Sequence, residues 1–519
     1  MSTHTVTSQQ RAERRTDDRP SSPDRRWWIL AVIAIAQLMI VLDTTIINVA
    51  LPSAQADLAI VDGQQQWLVT AYALAFGSLL LFGGRVGDLF GRKRTFIGAL
   101  VAFALASALA GAAPSFGVLV TARAIQGVAA AMLAPAALSM LITTFSHPRD
   151  RGRAFSIFST VAVGGGAVGL LLGGVLTEYL SWRWTMYVNV VFAAVASIGA
   201  IISMVGDRPT SRARLDVVGA ALASGALFSL AFGFSHAETA GWTSLVTLTS
   251  LILGVALLVA FGVAERQVLA PLLPLRIVSN RSRAAAFVAL AISGFGMFGL
   301  FLFLTYYLQT VRGFSPVMSG LAFLPMIACV MISANLANSV TLPRFGPRVV
   351  ITTGMAVGGL ALAGLSRLDA GSSYAEGVLP SLIGMGLGMG MIVSPAMSTA
   401  TVGVQPSDAG AASALVNTMQ QVGGSIGTAV LSTIAATVST TYTGEHGPGV
   451  ELAAEAATHG FTVAFAVSAG AFAVGAVLGA SLFPSKVRLA QMREAAEASA
   501  AVRAPAPDPN RTEWATVHA

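Results

Sequence analysis

Apolar residues in this chain do not alternate with polar ones at the spacing of a half-buried helix or strand; they run on, apolar on every face. A bilayer core needs about 20 such residues in one helix. Runs of that kind fall near 27–51, 66–84, 95–113, 116–144, 154–177, 183–205, 216–235, 244–264, 284–309, 317–340, 349–366, 375–402, 410–436 and 461–483, fourteen in all. They predict an all-α polytopic membrane protein whose chemistry sits in its spans or in the short loops between them.

Composition removes the alternatives. Of 519 residues, 55% are hydrophobic and 11% charged, whereas soluble chains carry about 25% charged residues. A water-soluble surface of this size cannot be covered from that supply. The single cysteine, Cys329, lies in an apolar run and has no intrachain disulfide partner. The excess of 31 basic over 24 acidic residues would suit nucleic acid if it were clustered on one face, but its placement gives another meaning. Cytoplasmic loops retain Lys and Arg during insertion. With the N-terminus inside, Arg85, Arg92, Lys93, Arg94, Arg149, Arg151, Arg153, Arg208, Arg212, Arg214, Arg266, Arg276, Arg281, Arg283, Arg344, Arg348 and both basic tails fall on the cytoplasmic side. Only Arg183, Arg312 and Arg367 fall outside, and Arg123 lies within a span. Both termini are expected in the cytoplasm, with the lipid bilayer as partner and no nucleic acid.

Residues 1–26 are charged and lack periodicity, which predicts a disordered cytoplasmic tail ending at Arg25-Arg26-Trp27-Trp28. No small-residue cleavage pattern follows the first span, so it reads as a retained helix. Residues 484–519 predict a cytoplasmic tail with a short surface helix and a Pro/Ala-rich end.

An internal repeat organises the spans. Pro148-Arg-Asp-Arg-Gly-Arg-Ala154 matches Pro406-Ser-Asp-Ala-Gly-Ala-Ala412, and the same offset lays Gly165 and Gly169 on Gly423 and Gly427. Ala134-Pro135-Ala136 corresponds to Ser394-Pro395-Ala396, and Phe90-Gly-Arg-Lys-Arg resembles Phe345-Gly-Pro-Arg-Val. The displacement is eight helices. It implies a six-plus-two-plus-six order: a six-helix bundle over 27–205, two extra spans and linkers over 206–283, and a second bundle over 284–483. Parallel halves of this kind enclose a midplane cavity and alternate its exposure.

Ionisable groups inside spans are few, and each is costly to bury. Asp43 interrupts the first span and Arg123 the fourth; none of the six histidines falls within a predicted span. Asp43 is eight residues before Leu51 and Arg123 seven after Phe116, which puts both roughly 10–12 Å below the outer surface at about 1.5 Å per residue. Equal depth allows them to meet. Burial disfavours a carboxylate and a guanidinium neighbour favours it, so separating the two would drive proton uptake; a static pair that fixes helix packing is the alternative. Gln126 lies one turn from Arg123 on the same face.

The loop after the second span reads Gly83-Gly-Arg-Val-Gly-Asp-Leu-Phe-Gly-Arg-Lys-Arg94. Gly84 and Gly87 would let helix ends approach, Asp88 would cap or bridge, and Arg92, Lys93 and Arg94 form a basic knot, either an interface latch or a topology anchor. In the fifth span Gly165, Gly169, Gly173 and Gly174 make a smooth face for packing or sliding. Glu178, near Arg183, and Asp216 read as caps. Gln126, Asn335, Asn338, Asn417, Gln420 and Gln421 could line the cavity, while the aromatics from Phe295 to Tyr307 read as packing or lipid-facing residues. The segment holding Glu445, His446, Glu451, Glu455 and His459 reads as an acidic external loop without metal-ligand spacing, and no P-loop supports ATP drive.

These motifs together resemble the fourteen-span drug:proton antiporter branch of the major facilitator superfamily, from the first span to the last: LDTTIINVALP, GRVGDLFGRKR, RAIQGVAAA, the glycine array and SWRWTMYVNV. The resemblance implies the major facilitator fold and a latch formed by Gly84, Asp88, Gly91, Arg92 and Lys93. It also ties Arg123 to proton transfer, Asp43 to coupling and the glycine array to antiport. Two departures stand out: Leu170 replaces the usual proline after Gly169, and Val190-Val191 follows Asn189 where Val-Pro is usual. A missing proline removes a kink and leaves the glycine face.

The expected function is proton-driven export of a small hydrophobic or cationic drug or antibiotic by a monomer, with no metal or cofactor besides the proton gradient. Export of an endogenous lipid, siderophore or metabolite on the same fold is the rival reading. A polytopic enzyme or receptor would need a catalytic constellation in loops that hold none.

Overall fold

A computed structural model of the chain describes residues 23–61, 64–145, 147–204, 216–268, 273, 275–402, 404, 409–446 and 450–483. The expected tails at 1–22 and 484–519, and most of the loop around Pro406, lie outside the described residues. The described chain is helical throughout: α1 (Pro23–Asp57), α2 (Trp67–Phe90), α3 (Arg92–Gly111), α4 (Phe116–Thr144), α5 (Pro148–Tyr179), α6 (Trp184–Ser203), α7 (Val217–Ala240) and α8 (Leu245–Gln267), then a single turn at Leu275–Val278. It continues with α9 (Arg281–Tyr306), α10 (Pro316–Ala322), α11 (Leu324–Leu336), α12 (Leu342–Leu365), α13 (Leu379–Thr401), α14 (Ala409–His446) and α15 (Val450–Leu482). Wide π-turns at Tyr307–Val311, Ala337–Thr341 and Tyr374–Val378 adjoin α9, α11 and α13.

Among the described residues eleven helices are long and apolar enough to cross a membrane. One of them, Pro316–Leu365, is broken at Gly346 (φ 78°, ψ 168°), and α2 and α7 contain the shorter apolar stretches Trp67–Leu80 and Val218–Phe234. Two expectations need correction. The first helix starts at Pro23, so residues 23–26 are helical rather than tail. Glu445 and His446 end α14, and Glu455 and His459 lie on α15; Tyr442 stacks on His446 at 4.3 Å and lies 5.3 Å from His459, so this segment is two extended helix ends.

The repeat is visible in packing. In the first half α1 packs on α5 and α6, α2 and α3 on α4, and α3 on α6; in the second, α9 packs on α14 and α15, α11 and α12 on α13, and α12 on α15. Glycine makes both sets possible. Gly165 faces Leu38 and Val41, Gly169 faces Thr45 and Gly173 faces Ile46, all on α1, while Gly423 and Gly427 of α14 rest on Ala291 and Phe295 of α9. Gly91 between α2 and α3 (φ 88°) and Gly346 (φ 78°) hold matching positive-φ corners that other residues adopt only with strain.

The halves meet along α5 with α10 and along α2 with α14. Arg25 Nε donates to Ser203 O at 2.9 Å and Arg281 Nη2 to Ser481 O at 2.7 Å, so both ends of the described chain lie at one end of the bundle. The opposite, distal end is closed. There Gly174 abuts Pro316 and Val317, Gly320 abuts the Leu170 carbonyl, Gln309 Nε2 donates to Val49 O at 2.9 Å, and the Tyr306 hydroxyl donates to Gln55. The α7–α8 hairpin covers the α2–α14 seam: Trp67 meets Phe232 with ring centroids 6.3 Å apart, Ser224 Oγ of α7 donates to Ser78 O of α2, and Thr433 Oγ1 of α14 donates to Phe234 O of α7, both at 3.4 Å.

Candidate functional site: a buried carboxylate and its donors

Gly127 has no side chain to hold α4 away from the Tyr72 carbonyl of α2, so the two helices touch backbone to backbone. That approach brings Arg123, one turn earlier, into reach of α2: its Nε donates to Leu68 O at 2.9 Å, and its guanidinium carbon lies 4.5 Å from the Tyr72 ring centroid. The remaining edge of the guanidinium turns to α1. Arg123 Nη1 lies 2.6 Å from Asp43 Oδ2, with Arg123 1% and Asp43 0% exposed.

The second carboxylate oxygen is also held. Gln126 Nε2 donates to Asp43 Oδ1 at 3.0 Å and to Ser107 Oγ at 2.8 Å, while its own carbonyl accepts from Arg123 Nη1 at 3.1 Å. Asn189 Nδ2, from α6, donates to the same Asp43 Oδ1 at 2.9 Å. Two helices, α4 and α6, therefore bind the carboxylate of α1, and α2 and α3 hold Arg123 and Gln126 from behind, all within the first half. Charge-assisted bonds of this kind are about twice as strong as neutral ones, and breaking a buried pair costs about 3–5 kcal/mol because the other charge is left bare.

The equal depth expected of Asp43 and Arg123 is thus realised as direct contact. Gln126 is different from expectation: it was assigned to a substrate cavity, and the structure buries it completely as a bridge between Asp43 and Ser107. Residue spacing fixes depth on a helix but not which neighbour covers that face. Asn189, Ser107 and Tyr72 were not singled out for the site; the only signal was the position of Asn189 inside SWRWTMYVNV.

The loop motif is described in part. Gly84 has only Pro135 Cβ at 3.8 Å and Gly87 has nothing within 4 Å, so neither is the point of close approach; Gly83, pressed on the Ala131 carbonyl, is. Lys93 Nζ donates to Ile201 O at 3.2 Å and Met204 O at 2.5 Å, binding the carbonyl end of α6 within its own half. Arg92 opens α3 after the Gly91 corner, and the Asp88 side chain lies outside the described residues. In the array Gly165, Gly169 and Gly173 face α1, and Gly174 faces the other half.

Asn335 and Asn417 are exposed and donate to their own helices, to Met331 O at 2.8 Å and Ser413 O at 3.2 Å. Gln420 is half-buried; Gln421 is buried beside Gly77, and Thr418 next to it donates to Gly77 O at 3.0 Å. Glu178 does not pair with Arg183: it accepts from Val317 N at 3.0 Å across the halves, while Arg183 binds Asp57 at 2.9 Å. Asp216 caps α7 through Gly219 N at 2.7 Å. Phe295 and Phe298 pack against Gly427 and Gly424, and Phe301 on Phe323 at 5.1 Å. Among the described residues no group of His, Cys, Asp and Glu could hold a metal ion.

Comparison with known proteins gives this arrangement a family. Residues 33–428 match the model of the Major Facilitator Superfamily. The chain is 47% identical to the puromycin resistance protein pur8 of Streptomyces alboniger, over 90% of this chain and 93% of that one. It is 40% identical to the cephamycin export protein CmcT of Amycolatopsis lactamdurans, over 82% and 87%, and 32% identical to the lincomycin resistance protein of Streptomyces lincolnensis, over 93% and 96%. Among solved structures, the POT family transporter PepTSo superposes with a TM-score of 0.66 at 15% identity, covering 91% of this chain and 99% of that one. An inward-facing bacterial homologue of the lysosomal transporter Spinster gives 0.62 at 17%, covering 88% and 97%. Family and relatives indicate a transporter rather than an enzyme, and the chain belongs to the Major Facilitator Superfamily as a multi-pass protein of the cell membrane.

Proposed function

We propose that the chain is a secondary active transporter that exports hydrophobic or amphiphilic drugs, an antibiotic among them, across the cytoplasmic membrane in exchange for protons, and that it thereby confers resistance. On this reading it has fourteen transmembrane helices: Pro316–Leu365 counts as two across Gly346, and the shorter Trp67–Leu80 and Val218–Phe234 are spans. The halves are 27–205 and 284–483, two extra spans lie between them, and both tails are cytoplasmic. The cargo class is supported by the resistance and export names of relatives that align with most of this chain.

The observation that carries proton coupling is the Asp43–Arg123 pair, buried at 0% and 1% exposure in a bundle otherwise almost free of charge. With Arg123 in contact an ionised Asp43 has its counter-ion. A rocking step that draws α1 from α4 leaves a buried carboxylate without its counter-ion, and protonation is then the cheaper state. Return of Arg123 expels the proton. The glycine face of α5 gives α1 a smooth track for such a step. With the distal end outside, the closed distal contacts correspond to the state that accepts cargo from the cytoplasm.

A resistance panel in a pump-deficient host, with and without an uncoupler, tests the proposal. Raised tolerance to a subset of antibiotics that disappears with the uncoupler is expected. Tolerance that survives the uncoupler would remove proton drive, and export of an endogenous metabolite without any drug would remove the cargo assignment.

A further inference from the structure

A carboxylate that cycles between charged and neutral forms inside a bundle needs partners for both. Ionised, Asp43 accepts hydrogen bonds only, and its three side-chain partners all donate: Arg123 at 2.6 Å, Gln126 at 3.0 Å and Asn189 at 2.9 Å. Protonated, it carries an O–H that must find an acceptor, because a buried donor without one is unfavourable. Arg123 has no acceptor to offer. The Gln126 carbonyl is engaged by Arg123 at 3.1 Å and its amide by Ser107 at 2.8 Å, so turning Gln126 over gives up the bond to Arg123 and requires the Ser107 hydroxyl to reverse from acceptor to donor. Asn189 is not so committed. Its Oδ1 is buried without a hydrogen-bond partner among the described residues, and its Nδ2 is the group on Asp43.

We infer that Asn189 is a positioning residue that serves both protonation states of Asp43, donating through Nδ2 to the carboxylate and, after a half-turn of its amide, accepting the carboxylic O–H through Oδ1. This rests on the proposed protonation of Asp43. The half-turn breaks one bond and makes one, since terminal amide torsions are broad and roughly two-fold. While Asp43 is ionised only the donor face suits Oδ1 of the carboxylate, which fixes the amide orientation by chemistry. The other groups around Asp43 leave this role unfilled: α3 contributes Ser107, which accepts from Gln126, and α5 presents Gly165, Gly169 and Gly173 to α1. The titratable groups in the cluster are Arg123 on α4 and Tyr72 on α2; Tyr72 offers its ring to the guanidinium, and its hydroxyl is buried without a hydrogen-bond partner among the described residues, which makes the phenol the rival acceptor. Proton balance is simple: one proton from the aqueous phase joins Asp43, no bond other than O–H forms, and the same proton leaves when Arg123 returns.

The test is the infrared difference spectrum of the purified full-length protein between high and low pH, reading the C=O stretch of the protonated carboxyl. A band lost in Asp43→Asn belongs to Asp43. In Asn189→Leu, which keeps the volume and removes donor and acceptor alike, that band should shift to higher wavenumber, as for a carboxylic acid without an acceptor. In Asn189→Ser, whose hydroxyl both donates and accepts, it should stay close to its original position, and this smaller variant covers the case in which leucine impairs folding. A band unmoved in both variants overturns the assignment of Asn189 alone. A band that moves instead in Tyr72→Phe overturns it in favour of the phenol. If no band depends on Asp43, the protonation reading fails and this inference falls with it.

Discussion

The two halves are built alike and filled differently. Both pack a glycine-bearing helix on their first helix, Gly169 on Thr45 and Gly427 on Phe295, and both turn a corner at a positive-φ glycine, Gly91 and Gly346. Two residues before each contact stand Asp43 in the first half and Ser293 in the second. Asp43 is held by Arg123, Gln126 and Asn189 from two other helices; Ser293 is equally buried and bonds only its own backbone, to Leu290 O at 2.8 Å. The shared features are those that let helices pack. The difference is a charge cluster that the shared packing does not need, and the proposed proton coupling rests on that cluster.

Several substitutions bear on that contrast. Arg123→Leu removes the counter-ion of Asp43, and thermal unfolding in detergent at alkaline pH, where proton uptake cannot relieve the bare carboxylate, should show a loss of about 3–5 kcal/mol; a loss under about 1 kcal/mol there would mean that the pair is no structural counterweight. Transplanting the carboxylate should fail: Ser293→Asp in an Asp43→Asn background puts an acid where no arginine waits, and proton-driven efflux should not return. Recovery of efflux there would erase the distinction between the halves. The glycine contacts should differ in the opposite direction. A methyl at Gly427 meets Phe295 backbone, which cannot turn aside, whereas one at Gly169 meets the movable Thr45 hydroxyl. Gly427→Ala should therefore cost about 1–3 kcal/mol and Gly169→Ala less, read from the same melts. Asn335→Ala and Asn417→Ala, at exposed positions bonded to their own helices, should stay within about 0.5 kcal/mol, and a drop in efflux confined to particular drugs would place them on the cargo path.

Much of this organisation is legible in the chain itself, and the limits have a physical origin. Apolar runs locate helices because lipid leaves a spanning segment few alternatives. Here the exception is Gly346, which joins what reads as two runs into one broken helix. Depth is legible too, which is why Asp43 and Arg123 could be matched before any fold was known. Rotation about the helix axis is not. Gln126 was therefore placed in the cavity although it faces Asp43, and Gly84 was credited with an approach that Gly83 makes. Asn189 is neutral, and no charge or spacing rule marks a neutral amide that becomes important only beside a carboxylate from another helix. The seating of α7 on the α2–α14 seam is likewise a matter of tertiary packing that hydropathy cannot carry.

The central claim is that Asp43 carries the coupled proton, and the most direct measurement is drug transport into inverted membrane vesicles under an imposed pH gradient. Asn at position 43 keeps the shape of the side chain and one acceptor oxygen, and removes its titration. Asp43→Asn protein that is inserted and folded should bind drug and show no gradient-driven accumulation. Accumulation at the rate of the unmodified protein would contradict the account.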